Sequence, residues 1–175
     1  SREFGETTLS LSARLRRFVE ALPKAELHVH LEGTLTPDFA FDLACRHGHP
    51  LADLGPEAIH SFYRHADFHD FLDHLEVLLG LLQHPGDLYD LVGRYTRFAR
   101  RSNIVYAEAH LTPLPLVSAG MPYPALMRAV EWAADEARRE GLELRVILDT
   151  IRHLGPEQVD ETLRLHREHP FPCVV

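Results

Sequence analysis

The sequence is short of cysteine and of long apolar runs, and each shortage excludes a class of protein. Its only cysteines among 175 residues are Cys45 and Cys173, which match neither a disulfide framework nor a cysteine metal motif. We therefore expect a reducing compartment, the cytoplasm. No apolar stretch approaches the roughly 20 residues that cross a bilayer, and the polar first 17 residues contain no signal-peptide core. We predict no membrane partner.

Basic residues are also scarce. Lysine and arginine number 18 against 26 aspartates and glutamates, so the formal net charge is -8 with histidine neutral. A chain without a basic stripe cannot neutralise phosphates, and we predict no nucleic-acid partner. With 45% hydrophobic and 25% charged residues, the composition is that of a globular domain with a real core. No pattern in the sequence predicts an oligomeric state.

Predicted strands and helices alternate along the chain. Strands are predicted at residues 25–31, 104–111 and 142–151, and a fourth begins at residue 171. Short connections between the later elements predict a parallel α/β sheet with right-handed crossovers, folded as one domain. Thr36 and Pro37 predict the start of a helix and Gly48 its end. The first predicted helix begins at residue 10 or 12 and ends at residue 22, and the others cover residues 37–47, 56–63, 67–83, 85–101, 122–139 and 156–169. An apolar stripe along 67–83 predicts a packed helix.

Two histidines on the first strand are the main candidates for a functional site. His28 and His30 are two positions apart, so on a regular strand their side chains project from the same face, together with Glu26 and Glu32. A line of polar groups facing the inside of a sheet is costly unless something binds them. Imidazole nitrogens suit zinc. The alternative is an edge strand with solvated histidines. The opposite face, predicted to pack under helices, holds Leu27, Val29 and Leu31.

Other polar residues have weaker claims. His65 and His69 are four positions apart, the spacing of two zinc ligands if one helix contained both. No glutamate follows His65 as in metalloproteases, so we do not expect a site there. Arg152 and His153 follow the third strand, either near a functional edge or in a capping or surface position. Glu108 is either a partner of a metal ligand or part of a salt bridge inside the sheet. Six further histidines are expected to be solvated: His47, His49, His74, His84, His166 and His169.

The first strand resembles the opening motif of a known family. Residues 23–33 have the sequence PKAELHVHLEG, which is similar to the signature of the adenosine deaminase family. The resemblance continues through DFL at 70–72, VYAE at 105–108 followed by TP at 112–113, and the third strand at 146–153. It extends from about residue 20 to the end of the chain.

The resemblance implies a fold and a site. The fold is a (β/α)8 TIM barrel of the metal-dependent hydrolase type, of which residues 1–175 form the N-terminal portion of a single deaminase domain, with about four strands and a helical insertion after the first. It implies zinc as cofactor, with His28 and His30 as ligands. The implied substrate-binding residues are His30, Glu32, Phe71 and Thr112, although Phe71 at helical spacing also suits the core. Glu32 replaces an aspartate that commonly holds ribose.

The implied activity is hydrolytic deamination of adenosine to inosine and ammonia, a reaction on a cyclic amidine C–N bond. Alternatives are an adenine or aminofutalosine-type deaminase, another metal hydrolase of the amidohydrolase kind, or a non-catalytic zinc-binding half-barrel. The family's general acid lies in a His-Ala-Gly-Glu motif, and its further zinc ligands lie beyond that. Neither that motif nor Asn-Thr-Asp occurs in this sequence. We therefore expect the catalytic glutamate beyond residue 175 and expect this portion alone to be inactive.

Overall fold

The structure is a computed structural model, and it describes residues 13–151 and 154–175. One parallel sheet has the strand order β1 (Lys24–His30), β2 (Ile104–Leu111) and β3 (Glu143–Leu148). The described α-helices are α1 (Ala13–Ala21), α2 (Pro37–His47), α3 (Pro56–Ser61), α4 (Phe68–Leu79), α5 (Pro85–Arg101), α6 (Pro113–Ser118), α7 (Tyr123–Arg139) and α8 (Glu157–Glu168). Short 3-10 turns cover Glu32–Thr34 and Pro50–Leu54. These elements confirm the predicted α/β class.

Helices α5 and α7 pack on each other and cover one face of the sheet, α5 over β2 and α7 over β3. Alternation along β2 separates the two faces. Ala107, Ala109 and Leu111 are buried on the helix side, whereas Tyr106, Glu108 and His110 are half-buried on the other side. We call this second side the open face. The polar residues of β2 therefore all project from the open face, away from the hydrophobic core.

The predicted ends of α2 are confirmed. The Thr36 side chain accepts a hydrogen bond from the backbone N–H of Phe39 at 3.4 Å, and Pro37 occupies the first turn, where its missing N–H costs nothing. Gly48 ends the helix in a left-handed conformation with φ of 61°, which a residue without a side chain adopts freely. These caps fix where the chain enters and leaves the first helix after β1.

A β-bulge interrupts β1 at its first histidine. Leu27 pairs with Glu108 and Val29 pairs with Ala109, so His28 is one residue extra on β1. Its backbone is left-handed, with φ of 67°, a conformation that costs a residue with a side chain on the order of 1–3 kcal/mol. Bulges are frequent next to functional sites, where they re-aim a side chain. The bulge therefore makes His28 a candidate for a functional residue.

The bulge also makes one sequence prediction wrong, because Glu26 does not share a face with the histidines. Glu26 pairs with Ala107 on the helix side, and its Oε2 accepts a hydrogen bond of 2.6 Å from the Tyr95 hydroxyl of α5. Leu27, predicted to pack beneath helices, lies beside Glu108 and is 61% exposed. A one-residue shift of register exchanges the two faces of a strand, so alternation across the bulge misassigns the residues that precede it.

Three other predictions need adjustment. The fourth strand is present only as a bridge from Val146 to Val174, held by hydrogen bonds of 2.8 and 3.0 Å around Val146. Helix α4 is shorter than predicted and only Leu78 in it is fully buried, because the adjoining elements leave most of its apolar stripe uncovered. Helix α6 was not predicted, because the residues between the second strand and the helix at 122–139 were assigned to no element. Residues 10–12 of the first predicted helix lie outside the described residues.

Among the described residues, no helix combines the length and the apolar composition needed to cross a bilayer.

Candidate functional site

Three histidine rings meet where β1 and β2 end. His30 and His110 are register partners on the two strands, and their ring centroids are 5.2 Å apart. The His28 ring lies 5.4 Å from that of His30 and 4.2 Å from that of His110. The bulge thus turns the His28 ring toward that of His30, although the two residues are not related by regular strand alternation. Their role as metal ligands stays a prediction.

An aspartate completes this group. Asp149 directly follows β3, and its backbone N–H donates a hydrogen bond of 2.8 Å to the carbonyl of Leu111, which holds it level with the end of β2. Its Oδ2 lies 3.8 Å from Nδ1 of His30 and 3.8 Å from Nδ1 of His110. These are ion-pair separations rather than hydrogen bonds. We call His28, His30, His110 and Asp149 the sheet-end cluster.

The environment keeps His110 neutral. Its side chain is 14% exposed, and burial, followed by the neighbouring positive charges of His28 and His30, lowers the pKa of its imidazole, while the Asp149 carboxylate opposes that shift. Neutral imidazole is the form that binds a metal ion, because protonation occupies the lone pair. The lowered pKa of His110 therefore favours the form of this ring that offers a nitrogen lone pair.

Glu32 and Thr112, both predicted to bind substrate, are in direct contact. Oε1 of Glu32 accepts a hydrogen bond of 2.6 Å from the backbone N–H of Thr112, which ties the residue after β1 to the residue after β2. Glu32 is 6% exposed, and its Oε2 is buried without a hydrogen-bond partner among the described residues. Burial raises the pKa of this carboxyl, although the Thr112 bond opposes the shift. Their roles toward a substrate stay predictions.

The ring contacts described for Phe71 involve residues outside this cluster. Phe71 lies on α4 with 37% of its surface exposed, and its ring contacts those of His65 and Phe68, at centroid distances of 5.2 and 6.0 Å. Neither of these belongs to the sheet-end cluster. A substrate role for Phe71 therefore stays a prediction that no contact described here tests.

Other candidates have definite positions. Glu108 accepts a hydrogen bond of 2.9 Å from the Tyr106 hydroxyl, and its carboxylate acts electrostatically on His110. Both roles considered for Glu108 stay predictions. His47 was expected to be solvated, which is wrong: its side chain is 5% exposed and its Nε2 lies 2.9 Å from Oδ2 of Asp87. Arg152 and His153 lie outside the described residues.

Sequence reasoning missed His110 and Asp149. Each is a single polar residue at the end of its strand, with no histidine or carboxylate beside it to form a recognisable motif. A signal was nevertheless present, because the carboxyl ends of parallel strands meet at one edge of the sheet. Polar residues that close successive predicted strands should therefore be considered together.

The donor types at the sheet end suit zinc, since imidazole nitrogen and carboxylate oxygen are among its usual ligands. His28 and His30 lie on one strand, and their rings are in contact. The sheet-end cluster does not bring three donor atoms tightly together. Within the part of the chain that the structure describes, the one group of three whose donor atoms all lie within 4.8 Å of one another is His65, Asp70 and His74.

Comparison with known proteins identifies the family. The profile described as adenosine deaminase matches residues 23–171. An uncharacterised deaminase of Schizosaccharomyces pombe is 37% identical over 153 residues, which are 85% of this chain and 44% of that protein. An adenine deaminase of Paraburkholderia xenovorans is 33% identical over 151 residues, 86% of this chain and 43% of that protein.

Solved structures show the same fold. A crystal structure of an amidohydrolase from Burkholderia ambifaria with bound Zn has a TM-score of 0.86 and 28% identity, covering 97% of this chain and 47% of that one. The crystal structure of an adenine deaminase from Arthrobacter aurescens has a TM-score of 0.81 and 28% identity, with coverage of 87% and 47%. This chain spans less than half the length of the curated relatives that it matches. It belongs to the adenosine deaminase family.

Proposed function

We propose that this chain is the N-terminal portion of a zinc-dependent purine deaminase barrel and that His28 and His30 are its first two zinc ligands. The observation that carries the proposal is the convergence of these two rings at the carboxyl end of a parallel sheet, the edge at which barrel enzymes place their active sites. The related amidohydrolase with bound Zn supports the choice of metal.

A zinc ion, when bound, supplies a Lewis acid that activates water near neutral pH. The residues of this chain have supporting tasks. His28 and His30 offer ring nitrogens, and the Asp149 carboxylate, 3.8 Å from Nδ1 of His30, attracts the imidazole proton to that nitrogen and leaves Nε2 free to bind. Glu32 fixes the loops after β1 and β2 through its bond to Thr112. We assign the general acid to no residue of this chain.

The substrate we propose is a 6-aminopurine. Adenosine follows from the family, but adenine has specific support, because curated relatives at 33% identity are named adenine deaminases. In addition, Glu32 stands where adenosine deaminases commonly have the aspartate that holds ribose. Its carboxylate is engaged with the backbone of Thr112, which leaves one oxygen for any further partner. Relative rates with adenine and adenosine decide between these substrates.

A chimera tests the proposal. The matching N-terminal part of the Paraburkholderia adenine deaminase is replaced by this chain, and ammonia release from adenine and adenosine is measured with zinc present. We expect activity, and His28→Ala or His30→Ala should lower it by about 1000-fold, since a catalytic metal is worth several kcal/mol. The matched control is His69→Gln, because His69 is an exposed histidine outside the sheet-end cluster, and this chimera should retain full activity.

Two results contradict the proposal. One is undiminished deamination by the His28→Ala and His30→Ala chimeras. The other is zinc affinity of the chain that neither substitution changes, measured by competition with a chromophoric chelator. This second measurement does not require the chimera to fold or to turn over. We also expect no ammonia release from the 175-residue chain alone, and zinc-dependent turnover by it would contradict the division of the site between two halves.

A further inference from the structure

A second group of metal-binding side chains lies in the helical segment between β1 and β2. His65 occupies the turn after α3, and Asp70 and His74 lie one helical turn apart on α4. Their potential ligand atoms all lie within 4.8 Å of one another. We call these three residues the helix cluster. We propose that the helix cluster is a second binding site for a transition-metal dication of the zinc class, distinct from the sheet-end cluster and independent of the proposed deaminase function.

The two histidines have the spacing that one metal ion requires. Nδ1 of His65 and Nδ1 of His74 are 3.2 Å apart. Two nitrogens bound to a tetrahedral zinc at about 2.0–2.1 Å are separated by about 3.3 Å. The two nitrogens therefore already have the separation that one tetrahedral cation requires. Without an ion, one of the two nitrogens has to carry a proton to form a hydrogen bond.

Asp70 determines which nitrogen of His74 is available. Oδ1 of Asp70 lies 3.4 Å from Nε2 of His74, so the carboxylate attracts the imidazole proton to Nε2. The Nδ1 lone pair is then left facing His65. A carboxylate on the far nitrogen of a ligand histidine is the usual support of zinc sites, because it fixes the tautomer and increases ligand basicity. Asp70 also supplies negative charge to balance the dication.

Asp70 is itself held in place. Its Oδ2 accepts a hydrogen bond of 2.8 Å from the backbone N–H of Ala66, and its own backbone N–H donates to Oδ1 of Asp67 at 3.0 Å. The carboxylate therefore joins the turn that carries His65 to the first turn of α4 that leads to His74. One residue positions both ligands.

Aromatic rings limit the rotation of the two imidazoles. The His74 ring is 4.7 Å from that of Phe62, and the His65 ring stands edge-on to Phe71 at 5.2 Å. The His74 and Asp70 side chains are 26% and 34% exposed, so an ion can reach them from solvent. Ligands that are restrained before binding lose less conformational freedom when the ion arrives.

A metal at this position would stabilise a lightly packed segment. Only Leu78 of α4 is fully buried, and Phe68 and Phe71 are 71% and 37% exposed. An ion bound by His65 and His74 connects the turn to the helix across nine positions of sequence. Because metal binding to a folded site stabilises the structure that forms it, the segment should open less often in the bound state.

The test uses the 175-residue chain carrying His28→Ala and His30→Ala, which removes the two first-strand ligands. Zn2+ binding is measured by calorimetry, Co2+ binding by its visible spectrum, and opening of the segment by hydrogen exchange. We expect one ion per chain and slower exchange in residues 62–76. Adding His65→Gln or His74→Gln should weaken binding at least 10-fold and abolish the protection, whereas Asp70→Asn should weaken it less.

His69→Gln on the same background is the matched control, because His69 is an exposed histidine on α4, and it should leave binding and protection unchanged. The proposal is overturned if the background chain binds no ion, if binding survives both His65→Gln and His74→Gln, or if His69→Gln weakens binding as much as they do. Circular dichroism of each variant separates lost ligands from lost helix. Failure of the deaminase chimera has no bearing on these results.

Discussion

The two histidine clusters of this chain differ in what supports them. The sheet-end cluster stands at the end of a sheet in which α5 covers β2 and α7 covers β3, with fully buried side chains such as Leu91 and Leu126. The helix cluster stands on a turn and on α4, where Leu78 is the one fully buried residue of the helix. Yet the donor atoms converge within 4.8 Å in the helix cluster and not in the sheet-end cluster.

This difference shows that a firmly packed scaffold and a complete set of metal ligands are separate properties of a site. In the sheet-end cluster, strand pairing fixes His30 and His110 opposite each other. We propose, however, that this site is completed by ligands that this chain does not supply. The helix cluster obtains its ligands from residues close in sequence, so it needs no other part of the fold. A local site can form on a lightly packed segment, whereas a site divided between distant strands depends on the whole barrel.

The largest expected effect tests the difference in packing. Leu91→Ala, in the buried face of α5, should lower the free energy of unfolding by about 2–5 kcal/mol. Leu72→Ala, at a position of α4 that is 38% exposed, should change it by about 0.5 kcal/mol or less. Urea denaturation followed by circular dichroism measures both. Equal losses would mean that α4 is packed as firmly as α5, and the comparison between the two regions would fail.

The sequence predicted the sheet and one half of its site for identifiable reasons. The strands at 104–111 and 142–151 have clear alternation or apolar runs between turn residues, and the structure contains β2 and β3 there. His28 and His30 were found because they stand together in one motif. The relative position of residues that are close in the sequence can be predicted from their spacing alone.

The sequence did not predict side-chain contacts that depend on strand register or on the conformation of a turn. The bulge at His28 has no residue signature, since a left-handed histidine replaces the glycine that usually indicates one. His110 and Asp149 meet through strand pairing across the sheet. The four-residue spacing of His65 and His69 suggested that these two side chains would be neighbours on one helix, but α4 begins only at Phe68. The segment before α4 instead brings His65 into contact with His74, nine positions away.

The next effect concerns metal binding at the sheet end. His30→Ala removes a proposed ligand and should lower zinc affinity there by about 100-fold or more. His110→Ala removes a neighbouring ring and should cost about 10-fold to 100-fold, the range for residues that support a ligand. Chelator competition is done on a His74→Gln background, which silences the helix cluster. If His110→Ala costs more than His30→Ala, His110 is itself a ligand, and the sheet-end cluster is more complete than we propose.

A smaller effect comes from one tyrosine in each region. The Tyr63 hydroxyl, next to the helix cluster, donates a hydrogen bond of 2.6 Å to the carbonyl of Leu35. The Tyr123 hydroxyl at the start of α7 is buried without a hydrogen-bond partner among the described residues. Tyr63→Phe should therefore cost about 1 kcal/mol at pH 7, while Tyr123→Phe should be neutral or slightly stabilising. The same urea experiment measures both, and a cost for Tyr123→Phe as large as that for Tyr63→Phe would contradict the assignment.

The smallest effect is the response of Tyr123 to alkaline pH. Burial raises the pKa of its phenol from 10.0 to about 12. A group whose folded pKa is raised contributes its full stability below the unfolded pKa and loses it as pH rises, because the unfolded chain ionises first. The wild-type chain should therefore lose about 0.8 kcal/mol at pH 10.5 relative to Tyr123→Phe. Unfolding free energies of the two proteins at pH 8, 9.5 and 10.5 give this difference directly, and other tyrosines cancel from it. Parallel pH profiles would mean that water reaches the hydroxyl, and the packed region would then be less tightly closed at α7 than its burial indicates.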